Sequence, residues 1–525
     1  MKRRALEGAI LAKRRLRITV LDLAGKGRAK RLYQRVMNAN QATIMPQVIS
    51  AWCEELGHEV RYVCYTGFED FAAELRDPCD VLFVSAYTQS ALTAYAVSNL
   101  YRQAGAVTVL GGPHARCYPE DAARYFDYVL GFTDKTIVDD VLHDLAPHRP
   151  EGVYVSAAGQ PAELPSLEQR WKFVAANLEK ARFLKIVPMI GSMGCPYTCS
   201  FCIDSTVGYQ PLAFDQIRAD LRFLRGKVRR PMVGWHDPNF GVRFDDYMTA
   251  IEDAVPEGGM RFIAESSLAL LSEPHLKRLK RNGFVGILPG IESWYDLGNK
   301  SKTGRAVGIE KVRRVAEHVN TILRYIPYVQ TNFVLGLDCD AGAEPFELSK
   351  RFIDLVPGAY PAYSLMTAYG AAAPLNLELQ RAGRVLPIPF RFLDGIHAMN
   401  VRPLHYEWAE FYAHLEDLTQ YLRSPARLAK RFGANRGLAT KSLNLIRAAS
   451  SHRVRYNARI GTLLQTDASF RGFFDGKTDA LPDFYAKKVK RHLGTLWESL
   501  PEGALAHDPN AYLKRHEATL RRAAE

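Results

Sequence analysis

Cysteine is scarce in this chain. There are eight in 525 residues, and none beyond Cys339. Five of them, Cys53, Cys64, Cys79, Cys117 and Cys339, are scattered without a pairing pattern. That excludes a disulfide framework and points to a reducing compartment. Long apolar runs are missing as well. Nothing approaches the ~18 uninterrupted apolar residues of a spanning helix. The patch at 9–12, between Lys2-Arg3-Arg4 and Lys13-Arg14-Arg15, is too short for a secretory signal. The expectation is a cytoplasmic chain. Acidic residues are missing from one stretch. Residues 421–460 hold ten Lys/Arg and no Asp or Glu: Arg423, Arg427, Lys430, Arg431, Arg436, Lys441, Arg447, Arg453, Arg455 and Arg459. Such a run reads as a solvated helical face, or as contact with an anionic membrane surface, a nucleic acid or an acidic substrate. Charge alone does not choose among these.

What is present is a folded soluble composition, 47% hydrophobic and 24% charged, with a net charge of +13. A length of 525 residues exceeds one ordinary core, so two or three domains are expected.

The remaining cysteines stand together in Gly194-Cys195-Pro196-Tyr197-Thr198-Cys199-Ser200-Phe201-Cys202. The spacing is C-x3-C-x2-C, with an aromatic residue before the last thiol. A structural zinc site would need a fourth ligand, usually in a second Cys/His pair, and no such pair follows at zinc-finger distance. Three thiolates on one loop can instead hold three irons of a cubane cluster. A cluster that only passed electrons would normally have four protein ligands. The fourth iron is left open to bind and reduce something else.

This run resembles the signature of the radical S-adenosylmethionine (SAM) enzymes. The resemblance implies a [4Fe–4S] cluster on Cys195, Cys199 and Cys202, with SAM chelating the open iron. It implies one-electron cleavage of SAM to a 5′-deoxyadenosyl radical, and an electron donor of the flavodoxin or ferredoxin kind.

The periodicities divide the chain into an N-terminal domain at 1–145, a linker at 146–183 punctuated by Pro and Gly, a core at 184–385 and a mostly helical basic region at 386–525. In the first part, strands at 17–23, 58–65, 81–85, 106–110 and 128–130 alternate with helices at 42–56, 91–104 and 119–126. Alternation of this kind predicts a Rossmann-like parallel sheet, an α/β domain whose ligand lies beyond the strands' carboxyl ends. Those ends are Ser85-Ala86-Tyr87-Thr88, Gly111-Gly112-Pro113-His114 and Gly131-Phe132-Thr133. With Leu56-Gly57-His58-Glu59-Val60, they make the domain similar to the cobalamin-binding domains that precede many radical SAM cores. The resemblance implies cobalamin near Ser85, Thr88, Gly111, Gly112 and Gly131. The D-x-H-x-x-G motif, whose histidine ligates cobalt, is absent. Asp22 is followed by Ala24 where that histidine would stand, so no ligand from that motif is expected.

Strands at 186–190, 232–235, 260–265, 285–288 and 325–335 predict a partial (β/α) barrel. Polar residues at their carboxyl ends would form an active-site rim. The order Cys loop, Asp237-Pro238-Asn239-Phe240, Ala264-Glu265-Ser266, Gly290-Ile291-Glu292-Ser293 and Val334-Leu335-Gly336-Leu337 resembles the radical SAM core from end to end. By that resemblance the backbone around Phe201 lies near the adenine. Glu265, Ser267 and Glu292 contact the amino group, carboxylate or ribose of SAM, and Gly336 lets the adenine approach. No residue is assigned to the chemistry on the substrate.

The region after 386 has no cysteine, which excludes the auxiliary clusters of the SPASM kind. No small β-barrel RNA module ends the chain, which argues against a nucleic-acid substrate. The leading expectation is a cobalamin-dependent radical SAM methyltransferase acting on an unactivated carbon of a small or lipid-like, anionic substrate, with peripheral membrane contact as one use of the basic region. The alternatives are a cobalamin-free or cyclase/oxidase-type radical SAM enzyme, and a cluster- or corrinoid-based sensor without turnover.

Overall fold

The computed structural model describes residues 14–75, 77–295, 303–449 and 452–524. The basic and apolar patches of residues 2–12 lie outside them. The N-terminal part is a six-stranded parallel sheet in the order β2-β1-β3-β4-β5-β6. Its strands are β1 (Arg17–Asp22), β2 (Glu59–Cys64), β3 (Val81–Ser85), β4 (Val107–Gly111), β5 (Tyr128–Leu130) and β6 (Val153–Val155). The period of two sorts their side chains. Ile18, Val20, Val81, Phe83 and Val109 enter one core with Val48 and Trp52. Leu21, Leu82, Val84 and Leu110 enter a second core, which continues without a break into the barrel and the C-terminal helices. The chain order reverses direction between β1 and β3, the place where such sheets bind ligands.

The segment at 146–183 is more than a linker. It supplies β6, which extends the first sheet beside β5, and the helix Trp171–Lys180. The helix expected at 119–126 is present but shorter, Pro119–Ala123, and a further short helix, Pro113–Cys117, precedes it across Tyr118.

The second sheet is also parallel and six-stranded, in the order β14-β13-β12-β11-β10-β7. Its strands are β7 (Ile186–Met189), β10 (Met232–Trp235), β11 (Arg261–Ser267), β12 (Phe284–Glu292), β13 (Tyr328–Leu335) and β14 (Tyr360–Leu365). Each strand follows the last in sequence, with helices between, as a partial barrel requires. A two-residue antiparallel hairpin, β8 (Ser192–Met193) with β9 (Gln210–Pro211), sits after β7. The C-terminal region is helical from Trp408 onward.

Its basic run is not simply a solvated face. Arg431 is 3% exposed and lies over the Tyr360 ring. Arg447 bonds to the Tyr328 hydroxyl and Gln330 and stacks 3.6 Å over Tyr360. Arg453 stacks 3.6 Å over Tyr363, and Arg427 pairs with Asp354. These arginines lock the helices onto β13, β14 and the helix Glu344–Leu355. Among the described residues no helix is long and apolar enough to cross a membrane.

Candidate active site

The cysteine loop is what the β8–β9 hairpin carries at its tip. Its neck is narrow. Gly194 has φ +66°, and a Cβ there would lie 2.3 Å from the Gly208 carbonyl oxygen. The Cys195 amide donates to Val207 O at 3.2 Å and the Cys202 amide to Cys199 O at 2.9 Å. The Asp204 amide reaches Cys202 Sγ at 3.5 Å, the kind of contact that tunes a cluster thiolate. Cys195 is buried, and Cys199 and Cys202 are partly accessible. Among the described residues no three His, Cys, Asp or Glu side chains converge on a point suited to a single ion. A cubane makes a different demand, because each thiolate binds its own iron. A short loop presenting three separate thiols fits that demand.

Asp237, just beyond β10, holds the base of the loop. Its side chain is buried and accepts from the Gly191 amide at 3.1 Å, from Ser192 Oγ at 2.7 Å and from the Tyr247 hydroxyl. Burial raises its carboxyl above the ordinary value. Gly191 is glycine because a Cβ would strike the Tyr247 ring at 2.4 Å. The sequence displayed Asp237 within the polar end of a strand, but nothing in it identified the partners.

The SAM residues expected from the resemblance lie at the carboxyl ends of successive strands. Glu265 is exposed on β11, and its backbone carbonyl accepts from the Phe240 amide at 2.8 Å. The Ser267 amide donates to Asn239 Oδ1 at 2.8 Å. Ser267 Oγ and Asn239 Nδ2 are both buried without a protein partner. Paired orphans of this kind suit a polar ligand at the rim. Glu292 ends β12 with φ +65°, a conformation that costs about 1–3 kcal/mol for a side chain of this type and gathers at functional sites. Its carboxylate folds back over Gly290, where a Cβ would lie 2.3 Å from Oε1. Gly336 has φ +85°, and Met399 Sδ and Phe411 occupy the space a side chain would need. Phe201 is half-buried against the main core.

On the facing sheet, Thr88 is buried at the start of a short 3-10 turn after β3. Gly111 has open space where a Cβ would project, the feature of a cradle for a bulky ligand. Gly112 has φ +91°, and its Cβ position is 3.0 Å from Ala86 O and 3.2 Å from Ser85 Oγ. Gly131 is different. Tyr154 Oη and Ser156 Oγ lie 2.3 and 2.5 Å from its Cβ position, so β6 and the residue after it cover this glycine. His114 is fully buried and shares a 2.6 Å hydrogen bond with the Tyr95 hydroxyl, which turns it into the core. Asp22 is buried beneath the β1 loop and accepts from Thr43 and Tyr62. Burial pushes its carboxyl up to about 7.

The two sets of strand ends face one another. Tyr87, beyond β3, keeps 39% of its surface accessible. Yet enclosure by protein, with the carboxylates of Asp22, Glu265 and Asp204 nearby, pushes its hydroxyl up to about 12. His236, beyond β10, is exposed too, while surrounding protein lowers its imidazole below the ordinary value. Side chains that are both accessible and enclosed line a cleft. The cysteine loop borders it. Arg116, from the helix after β4, donates to Ile203 O at 2.8 Å and pairs with Asp204 at 3.4 Å. The Leu375 amide donates to Ser200 O at 3.0 Å. A separate cavity of about 430 Å³ at Tyr118, Arg124, His507 and Lys514 is elsewhere, and its charges are paired among themselves.

Two family models match the chain. The B12 binding domain model matches residues 41–159, and the Radical SAM superfamily model matches residues 189–338. The chain is 22% identical over 357 residues to bacteriochlorophyllide d C-12(1)-methyltransferase of Chlorobaculum tepidum, covering 66% of this chain and 71% of that protein. It is 26% identical over 375 residues to bacteriochlorophyllide d C-8(2)-methyltransferase of the same organism, covering 66% and 81%. Among solved structures its fold is similar to that of the radical SAM methyltransferase TsrM from Kitasatospora setae, solved with cobalamin and a [4Fe–4S] cluster bound. The TM-score is 0.51 at 15% identity, over 70% of this chain and 75% of that one.

Proposed function

We propose, from the premise that the chain belongs to the radical SAM superfamily and carries an N-terminal B12-binding domain, that it is a cobalamin-dependent methyltransferase acting on an unactivated carbon. The observation that carries this reading is the shared cleft. Tyr87 from the first sheet lies close enough to Glu265 of the barrel and Asp204 of the cysteine loop for their charges to act on its hydroxyl. A ligand on either sheet would therefore meet one on the other.

When bound, the cluster and the corrinoid supply one-electron cleavage of SAM and transfer of a methyl group. The chain's own residues do the rest. Cys195, Cys199 and Cys202 would hold the cluster through their three thiolates. Asp237 fixes the neck of their loop. Ser267 Oγ and Asn239 Nδ2 offer hydrogen bonds that no protein atom takes. Glu292, held in a strained conformation, and Glu265 orient the charged groups of SAM. Phe201 would lie beside the adenine in this reading, while Met399 and Phe411 cover Gly336. Ser85, Thr88, Gly111 and Gly112 form the corrinoid's cradle, while Gly131 stands behind β6. Ala24 stands where the histidine of the D-x-H-x-x-G motif would be, so that motif would supply no ligand to a bound corrinoid. Both curated relatives bear names of carbon methyltransferases, which supports methylation over cyclisation or oxidation. We keep a small-molecule substrate, an electron donor and cytoplasmic residence as parts of the same proposal.

The test is anaerobic reconstitution, with iron, sulfide and corrinoid measured on one sample. Roughly four irons per chain are expected, with corrinoid and with slow release of 5′-deoxyadenosine from SAM under reduction. SAM cleavage without any corrinoid would replace the methyltransferase with a cobalamin-free radical enzyme. No nucleoside product at all would leave only a sensor.

A further inference from the structure

Beside the cleft, four segments bring positive charge together. The loop after β1 carries Lys26 and Arg31. The crossing segment after β14 carries Arg391, Asp394 and His397. His452 opens the helix His452–Thr466, and Lys488 and His492 lie one turn apart on the helix Asp483–Leu493. The convergence is built, not incidental. The Arg28 amide donates to His492 O at 3.0 Å, and a Cβ on Gly27 would meet that same carbonyl at 3.1 Å. The Leu365 amide donates to Gly395 O at 2.7 Å, which ties the crossing segment to the carboxyl end of β14. Lys26 lies on the loop next to the β1/β3 switch point, so this pocket adjoins the cleft on both sides.

Its charges do not balance. Asp394, whose side chain is 1% exposed, is already engaged by Lys26 at 3.1 Å and His397 at 2.7 Å. It is the carboxylate that acts on Arg391 and His397, and cations are the neighbours that act on Arg31, Lys488 and His492. Arg391 Nε and His492 Nδ1 are buried without partners. Burial, and after it neighbouring cations, lower Arg31, Arg391 and Lys488 below their ordinary values, with Arg455 acting on Arg31, Arg31 on Arg391, and Arg491, Arg31 and Arg459 on Lys488. They also push His452 down to about 3 and His492 to about 2, so these imidazoles are neutral. Lys26, Arg31, Arg391 and Lys488 against Asp394 leave at least three positive charges unmatched, and Arg455, Arg459 and Arg491 nearby add to the excess. A single carboxylate or a phosphate diester would neutralise one. A phosphate monoester, at about −2, or a diphosphate suits the excess.

We propose that Lys26, Arg31, Arg391 and Lys488 form a phosphoryl-binding subsite, and that the substrate carries a phosphate monoester or diphosphate docked there while its reacting carbon reaches into the cleft. This rests on the methyltransferase reading and names the substrate class for it. Like charges gathered around a buried arginine are costly, and a multivalent anion relieves them most. Neutral His452 and His492 leave N–H groups to donate without adding charge.

The test uses the full chain loaded with cluster and corrinoid, and inorganic pyrophosphate as probe in titration calorimetry. Wild type is expected to bind it, with affinity falling as salt rises. Lys26→Gln and Lys488→Gln, both at accessible side chains, are each expected to weaken it roughly tenfold while iron and corrinoid contents stay unchanged. Absence of binding in wild type, or equal affinity in both variants, overturns the proposal. Loss of corrinoid from the variants gives these cations to the corrinoid's own phosphate and overturns it too. Wild type that binds pyrophosphate but never cleaves SAM would sink the enzyme reading and leave the anion site standing.

Discussion

Asp237→Asn tests how the cysteine loop is held. Oδ1 of the aspartate accepts from Ser192 and Tyr247, and Oδ2 accepts from the Gly191 amide. An asparagine keeps one acceptor. With its oxygen serving Ser192 and Tyr247, its NH2 group points at the Gly191 N–H, and two donors face each other in a buried place. The bond lost is charge-assisted, worth about 1.5–3 kcal/mol. At about 1.4 kcal/mol per decade, the docked state of the hairpin should fall roughly 10- to 100-fold relative to its undocked forms. The assay is the rate at which a chelator strips iron from the reconstituted protein, followed by absorbance. A rate increase of about tenfold or more is expected, with corrinoid binding retained because the first sheet is untouched. Tyr247→Phe removes a donor and leaves the other two bonds, so a smaller effect of about 1 kcal/mol is expected. An Asp237→Asn protein that holds its iron as long as wild type would refute the anchoring role.

Replacing Cys195, Cys199 and Cys202 together by alanine should remove the cluster's iron and absorbance, and about four irons persisting per chain would contradict the assignment. Gly111→Leu projects into space that is open in the protein, so corrinoid uptake should fail while the melting temperature and iron content stay near wild type. Unchanged uptake would move the cradle elsewhere. Glu292→Gly relieves a positive φ and should raise stability by about 1 kcal/mol in chemical unfolding while lowering SAM cleavage, whereas unimpaired cleavage would make the strain merely structural. Asp22 titrates near 3.8 unfolded and about 7 folded, so the folded state holds the extra proton between those values and stability falls as pH rises through that window. Urea midpoints at pH 5 and 7.5 should differ less in Asp22→Asn than in wild type, and an identical difference would be inconsistent with this. Electron paramagnetic resonance of the Co(II) form should lack nitrogen superhyperfine splitting, and its appearance would direct attention to His236, a nitrogen donor lining the cleft.

The sequence made the strand ends legible because polar residues and glycines interrupt apolar runs there. Ser85, Gly111, Glu265 and Glu292 each fall at a carboxyl edge by sequence pattern alone. What escaped has physical reasons. β6 is three residues long amid Pro and Gly, too short for a period of two to register. β14 contains Pro361, which argues against a strand until its position at the sheet edge is known. Gly131 looks like its neighbours in sequence, and only β6 distinguishes it. Counting charges made 421–460 a candidate solvated face, yet Arg447 finds Tyr328 and Tyr360 some hundred residues earlier in the chain, a pairing that no local pattern encodes. The cationic pocket was hidden for the same reason, since Lys26 and Lys488 come from opposite ends of the sequence.

One core runs from the inner face of the first sheet through the barrel to Phe411 and Tyr485. Two modules joined in this way cannot part like the halves of a hinge without baring that face to water. Cofactors and substrate must therefore come and go through the margins of the cleft. Severing the chain between residues 159 and 184 should yield two sticky fragments rather than two working domains. Loss of either cofactor's half would then register as a single cooperative collapse on heating.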